Sequence, residues 1–244
     1  MPVLQHPSPN HDARPPGQVI DILLLHYTGM RDRDEALARL CDPAAAVSAH
    51  YLIDEAGAIF VLVPEERRAW HAGVANWQGA SDINARSIGI ELVNPGHEWG
   101  YRGFPEGQMR ALEQLAVDVA RRQRIPRQRV LGHSDVAPVR KRDPGELFDW
   151  ARLAQAGLGL WPAGDFAISP HAPLLEAGMA GPAVFDLQTA LSRIGYGIEG
   201  SAIYDSSTEQ VVLAFQRHFR QASIDGVADA ETTSLAHHLA MLGS

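Results

Sequence analysis

The chain is 244 residues long, 45% hydrophobic and 20% charged, with 21 Lys and Arg against 29 Asp and Glu for a net charge of −8. That length accommodates one sizeable domain and a small one, and the composition excludes collagen-like, coiled-coil and disordered classes. The acidic balance argues against nucleic acid as a principal partner, and no apolar run approaches the roughly 18 residues of a membrane-spanning helix.

Residues 1–17 carry five prolines and no apolar period, which predicts an N-terminal arm or tail. VIDILLLH (19–26) reads as a buried strand of β-branched and aliphatic residues. DRDEALARLC (32–41) fits a short helix, and HYLID (50–54) with AIFVLV (58–63) fits a hairpin around Glu55-Ala56-Gly57. SIGIELV (87–93) alternates, placing Ile88, Ile90 and Leu92 on one face and Glu91 on the other. Pro105 opens a helix to about Arg124, with Met109, Leu112, Leu115 and Val119 at helical spacing. RVLGH (129–133) is a last strand ending on His133, and LFDWARLAQAG (147–157) a closing helix. This order predicts an α/β (α+β) fold, a central mixed sheet flanked by helices, over residues 18–160.

Residues 161–180 are rich in Gly and Pro and read as a linker. Residues 181–244 show three helical stripes, on Val184/Leu187/Leu191/Ile194, Val212/Phe215/Phe219 and Leu235/Leu239/Leu242, and so predict a small three-helix domain. Asp205 and Asp229 suit helix N-caps. The segment repeats itself, since Ile198-Glu199-Gly200 precedes Thr208 as Ile224-Asp225-Gly226 precedes Thr232.

Of the 21 basic residues only Lys141 is a lysine, so the one compact ammonium of the chain stands at a single place. It lies two residues before Asp143, on the same side of an extended segment. His26 and His133 each end an apolar strand, where a side chain reaches the sheet edge. Two imidazoles and a carboxylate leave one tetrahedral position open, which is what a catalytic zinc requires. An ammonium beside such a site can stabilise an oxyanion, and a carboxylate at Glu91 can act as general base and then acid.

LLLHYTG (23–29), VSAHYLID (47–54), AWHAG (69–73), SIGIELVN (87–94), GHSDVAP (132–138) and RKRDPG (140–145) together resemble the zinc-dependent N-acetylmuramoyl-L-alanine amidases of type 2, whose fold is shared with peptidoglycan recognition proteins. The resemblance implies that His26, His133 and Asp143 bind Zn²⁺, and that Glu91 and Lys141 are the catalytic pair. The implied reaction is hydrolysis of the amide joining N-acetylmuramic acid, 1,6-anhydro forms included, to L-alanine of the stem peptide, in wall turnover and recycling. Tyr27, His50, Trp70 and His71 are candidates to line the cleft and bind substrate. FDLQTALSRIGY, DSSTEQVVLAFQRHF and the two turns between the helices resemble the peptidoglycan-binding module of wall hydrolases. Such a module would hold substrate near the site or pack on the catalytic domain.

The alternative function is muropeptide recognition without cleavage. The N-terminus shows neither a basic n-region nor an apolar h-region, and Cys41 is the single cysteine, which together point to the cytoplasm. The C-terminal module, and Ala46 where recycling enzymes tend to carry Arg before Val47-Ser48-Ala49-His50, resemble the envelope branch and keep the periplasm as the alternative. A monomer is the expected state.

Overall fold

The computed structural model describes residues 2–162 and 166–242, so Met1 of the arm, residues 163–165 of the linker and the last two residues lie outside the described residues. Three neighbouring strands run parallel: β7 (Ser87–Leu92), β3 (Ile22–Tyr27) and, at the sheet edge, β8 (Val130–Gly132). Beside β7 lies β4 (Tyr51–Ile53), parallel to it, and then β5 (Ile59–Val61), antiparallel to β4. β1 (Val3–Gln5) adds to β5 in parallel, giving the order β1-β5-β4-β7-β3-β8. The hairpin expected at 50–63 is the β4–β5 pair, with Ile53 opposite Ile59.

The N-terminal arm is more ordered than its composition suggests. Besides β1 it supplies β2 (His11–Ala13), which pairs with β6 (Arg67–Ala69) in a second, two-stranded sheet. Arg14 then fastens it, its guanidinium donating to the carbonyls of Glu65, Asn84, Ala85 and Ser87. Prolines hide strand pairing of this kind, because three-residue strands carry no measurable period.

Register decides what each face of the sheet holds. Leu23, Leu25, Ile88 and Ile90 pair across β3 and β7 on one face, where they pack with Met109, Leu112 and Val119 of α4 (Glu106–Gln123). On the other face Ile22 and Leu24 pair with Ser87 and Gly89, and the next pair is His26 with Glu91. Both faces are covered, so Leu23, Leu24 and Leu25 are fully buried, each contributing about 1.5–3 kcal/mol. The helices around this sheet are α1 (Arg33–Cys41), capped by Asp32, the single turns α2 (Ile83–Arg86) and α3 (Gly96–Trp99), α4, α5 (His133–Val136) and α6 (Trp150–Gln155). His133 is therefore not the end of a strand: β8 stops at Gly132 and His133 opens α5. The closing helix is also shorter than its sequence pattern, starting at Trp150 behind the cap Asp149.

The C-terminal region holds α7 (Pro182–Ile194), α8 (Ser206–Phe219) and α9 (Ala230–Leu242). Its sequence repeat is a repeated hydrogen-bond motif. Gln188 Nε2 donates to the Ile203 carbonyl and Thr208 Oγ1, and Gln216 Nε2 donates to the Val227 carbonyl and Thr232 Oγ1. Asp205 and Asp229 cap the helices that follow, accepting from the amides of Thr208 and Thr232.

The sheet region and the C-terminal helices share one hydrophobic core, in which Leu24, Trp77 and Leu131 pack together with Leu187, Leu191 and Phe215. Trp77 meets Tyr196 edge-on at 5.1 Å, and Gln78 donates its amide to the Gly195 carbonyl. Gly195 is required there: its φ is +138°, and a Cβ would collide with the Trp77 indole. A buried polar contact sits beside this core. Asp135, in α5, accepts from the Tyr196 hydroxyl at 2.8 Å and pairs with His218 Nδ1 at 2.7 Å.

Candidate metal centre and hydrolytic cleft

The parallel strands deliver their chemistry at their carboxyl ends, the usual place for a site in such a sheet. His26 and Glu91 are register partners near the ends of β3 and β7 and so share a face. His133 follows β8 directly, and the segment after α5 returns to place Asp143 against it, the Ser134 amide donating to the Asp143 carbonyl. His26 Nδ1 and His133 Nδ1 are 3.0 Å apart, and each is 3.0 Å from Asp143 Oδ2. All three side chains are buried. Bonds of about 2.0–2.2 Å put the donors of a tetrahedral zinc a little over 3 Å apart, so this spacing fits.

Proton placement fits as well. His133 Nε2 donates to the Ala72 carbonyl at 3.0 Å, which leaves the Nδ1 lone pair for a metal. For His26 the proton is fixed by a chain of contacts. The Ile83 carbonyl can only accept, so the Ser87 hydroxyl donates to it at 2.6 Å. The Ser87 oxygen then accepts from His71 Nε2 at 3.3 Å, and His71 Nδ1 accepts from His26 Nε2 at 3.0 Å. His26 Nδ1 is left bare toward Asp143. Burial, helped by His133, brings the His26 pKa down to about 4, so the ring is in its neutral, ligating form. Burial alone would raise the Asp143 carboxyl, but His133 and His26 outweigh it and hold it well below the usual carboxylate range.

Glu91 is 8% exposed, and its Oε2 has no hydrogen-bond partner. Burial and then the Asp143 charge push its pKa well above the ordinary carboxylate value, with Lys141 opposing them. Lys141 lines the cleft and its side chain has no hydrogen-bond or ion-pair partner among the described residues. The cleft, about 570 Å³, is walled by Tyr27, Met30, His71, His97 and Glu98 above the three donors. Tyr27 donates its hydroxyl to His97 Nδ1 at 2.8 Å, and His97 Nε2 is tied to Glu146 at 3.1 Å. Trp70 borders an adjoining recess of about 460 Å³, which His71, His133 and Lys141 also line.

His50 is not in the cleft. It is fully buried beneath β7, accepting from the Gly89 amide at Nδ1, with Nε2 3.1 Å from the Arg67 carbonyl. The expectation that it lines the cleft is corrected: its ring braces the strand that carries Glu91. Sequence reasoning missed Ser87, Asn84 and Arg140. Asn84 Oδ1 accepts from the amides of His71 and Ala72, and Arg140 donates to the carbonyls of Ala72 and Val74, so both hold the loop that orients His26 and His133. The only signal was the place of Ser87 and Arg140 inside motifs that otherwise carry chemistry; Asn84 lies outside them.

A family profile described as N-acetylmuramoyl-L-alanine amidase matches residues 16–146. The chain belongs to the N-acetylmuramoyl-L-alanine amidase family. A second profile, for a peptidoglycan binding domain, matches residues 180–235. The chain is 39% identical to the N-acetylmuramoyl-L-alanine amidase AmiD of Escherichia coli K12 over 235 residues, covering 90% of this chain and 82% of the relative. It is 35% identical to the 1,6-anhydro-N-acetylmuramyl-L-alanine amidase AmpD of the same organism over 168 residues, covering 60% and 87%. Among solved structures it superposes on AmiD from E. coli in complex with the substrate anhydro-N-acetylmuramic acid-L-Ala-D-gamma-Glu-L-Lys, with a TM-score of 0.79, 37% identity and 92% and 91% coverage. It also superposes on AmpDh3 from Pseudomonas aeruginosa in complex with an anhydromuramic pentapeptide, with a TM-score of 0.73, 31% identity and 91% and 92% coverage. The amidase family and the mixed fold expected from the sequence are both found.

Proposed function

We propose that this amidase binds Zn²⁺ through His26, His133 and Asp143 and hydrolyses the amide between N-acetylmuramic acid, 1,6-anhydro forms included, and L-alanine of the stem peptide. The observation that carries this reading is the convergence of three buried donors beneath a cleft, beside a carboxylate oxygen with no partner. When bound, the metal supplies Lewis acidity, polarising a carbonyl and acidifying a water.

The chain's residues do the rest. Glu91 Oε2 takes a proton from the attacking water as the carbon–oxygen bond forms. Its raised pKa brings it closer to the working pH, so it can pass that proton to the alanine nitrogen as the carbon–nitrogen bond breaks. The unpaired Lys141 ammonium stabilises the oxyanion on the attacked carbon. Tyr27, held by His97, and Trp70 flank the substrate. His71, with both ring nitrogens engaged, orients His26 in addition to lining the cleft. Recognition without cleavage is the weaker reading, since no donor is missing.

A monomer is the proposed working state, the three donors, Glu91 and Lys141 needing no residue from a second chain. No helix among the described residues is long and apolar enough to cross a membrane. Fractionation against cytoplasmic and periplasmic markers decides which of the two is the working compartment. Incubation with anhydro-muropeptide, followed by mass spectrometry, tests the chemistry. Wild type should release free stem peptide, and Glu91→Ala should not. Intact substrate with wild type would refute the hydrolytic reading.

A further inference from the structure

The hydrolytic cleft does not end at Lys141. It opens into a second groove, about 640 Å³, between the 138–146 segment and α8 of the C-terminal region. His97, Arg140, Lys141 and Arg142 line both, so a chain leaving the scissile amide past Lys141 enters this groove directly. Across it stand Gln210, Leu213 and Arg217 of α8.

The charge here runs against the rest of the molecule. Residues 166–244 contain only three basic residues against eight acidic ones, yet one of the three, Arg217, faces the groove opposite Lys141 and Arg142. Arg217 is half-buried. The other half-buried arginines, Arg14, Arg68, Arg86, Arg129, Arg152 and Arg220, all donate to carbonyls or carboxylates. Arg217 alone among them has no hydrogen-bond or ion-pair partner among the described residues. Of the nearby acids, Glu146 also lines the groove but is held by His97, and Asp135 is taken up by His218 and Tyr196. Burial pulls the Arg217 pKa down, Glu146 opposes this and Arg142 adds to it, so the two guanidinium groups sense each other. A partly desolvated guanidinium without a counter-charge is unfavourable unless an anion completes it, and its planar fork suits a carboxylate.

We propose that this groove is a subsite for a free carboxylate of the stem peptide, clamped between Arg142 and Arg217, so that the C-terminal region contributes directly to substrate binding. The proposal rests on the amidase reading. A stem of the form L-Ala-D-γ-Glu-L-Lys offers two such groups: the α-carboxylate that the γ-linkage leaves free, and the terminal carboxylate of lysine.

The test is a cycle between protein and substrate. KM and kcat are measured for wild type, Arg217→Ala and the exposed Arg142→Ala on anhydro-N-acetylmuramic acid-L-Ala-D-γ-Glu-L-Lys, and on the same compound amidated at one or the other carboxylate. Arg217→Ala should raise KM about tenfold with kcat little changed, as expected for one lost charge-assisted contact. Amidating the correct carboxylate should raise the wild-type KM similarly, and the two changes together should add little more. The arm that shows this non-additivity identifies the carboxylate. Fully multiplicative losses with both amides, or an unchanged KM in both variants, would overturn the subsite. Should wild type cleave none of the compounds, the amidase reading fails. Calorimetric binding of the free tripeptide then decides the groove: about tenfold weaker binding to Arg217→Ala supports it, and equal binding overturns it.

Discussion

Glu91 lies in β7 with both sheet faces covered and one carboxylate oxygen unpartnered, an arrangement that costs stability and serves reactivity. Unfolded, it ionises near its ordinary value of about 4.5, whereas folded it holds its proton to a higher pH. Below about 4.5 both states are protonated and the stability is complete; as pH rises through the raised folded pKa, that stability is lost. Glu91→Gln keeps the shape without the charge, so the metal-free variant should melt at a higher temperature than wild type at pH 8. At pH 4 the two should converge, and scanning calorimetry at both pH values checks this. The same substitution should lower kcat about 10²–10⁴-fold, the usual contribution of a positioned general base. Equal melting at pH 8 would mean that Glu91 is hydrated rather than desolvated. At this scale much is legible in the sequence. Alternation in SIGIELV sets Glu91 opposite the Ile88/Ile90/Leu92 face, and the rarity of lysine singles out Lys141. His50 is misread because an imidazole at a strand edge looks the same in sequence whether it faces a cleft or props a neighbouring strand.

Between elements, the His26 ring is set by a relay from β3 through His71 to Ser87 at the start of β7. Gly89 makes room for it, since a Cβ there would lie 2.6 Å from the His71 ring. Ser87→Ala removes the acceptor that fixes the His71 tautomer. It should weaken zinc binding by about tenfold or more, the usual effect of losing an outer hydrogen bond, as read by competition with a chromophoric chelator. Undiminished affinity would show that the His26 tautomer is set by other contacts. A further junction joins α5 to the C-terminal helices. Asp135, two residues after the proposed ligand His133, accepts from Tyr196, His218 and the Gly132 amide. Tyr196→Phe leaves a buried acceptor short of one donor, and should cost about 1–3 kcal/mol in denaturant unfolding. Neither junction can be read from sequence, because each joins residues tens of positions apart whose types are ordinary taken singly. The elements themselves are legible wherever a period runs long enough, as in α4, α7 and α8, and are missed where three-residue strands carry none, as in β1 and β2.

One hydrophobic core spans the two regions that composition separates by a Gly/Pro-rich joint, beside two further cores inside the sheet region. Trp77 and Leu131 pack with Leu187, Leu191 and Phe215, so each region leaves part of its apolar surface uncovered without the other. Thermal unfolding should therefore show a single cooperative transition, and truncation after Pro162 should expose that face and yield an aggregating or strongly destabilised chain. Two separated transitions would contradict the shared core. Periodicity shows which helices form but not what their outer faces touch, and that contact is what brings α8 up to wall the groove beside the cleft. Amide hydrolysis is proposed to depend on a zinc ion held by His26, His133 and Asp143. Titrating zinc into metal-free protein while following stem-peptide release from anhydro-muropeptide, with Asp143→Ala alongside, tests this dependence. Activity should rise from background and level off at one equivalent in wild type and stay at background in the variant. Full turnover by metal-free protein, or zinc-restored activity in Asp143→Ala, would contradict it.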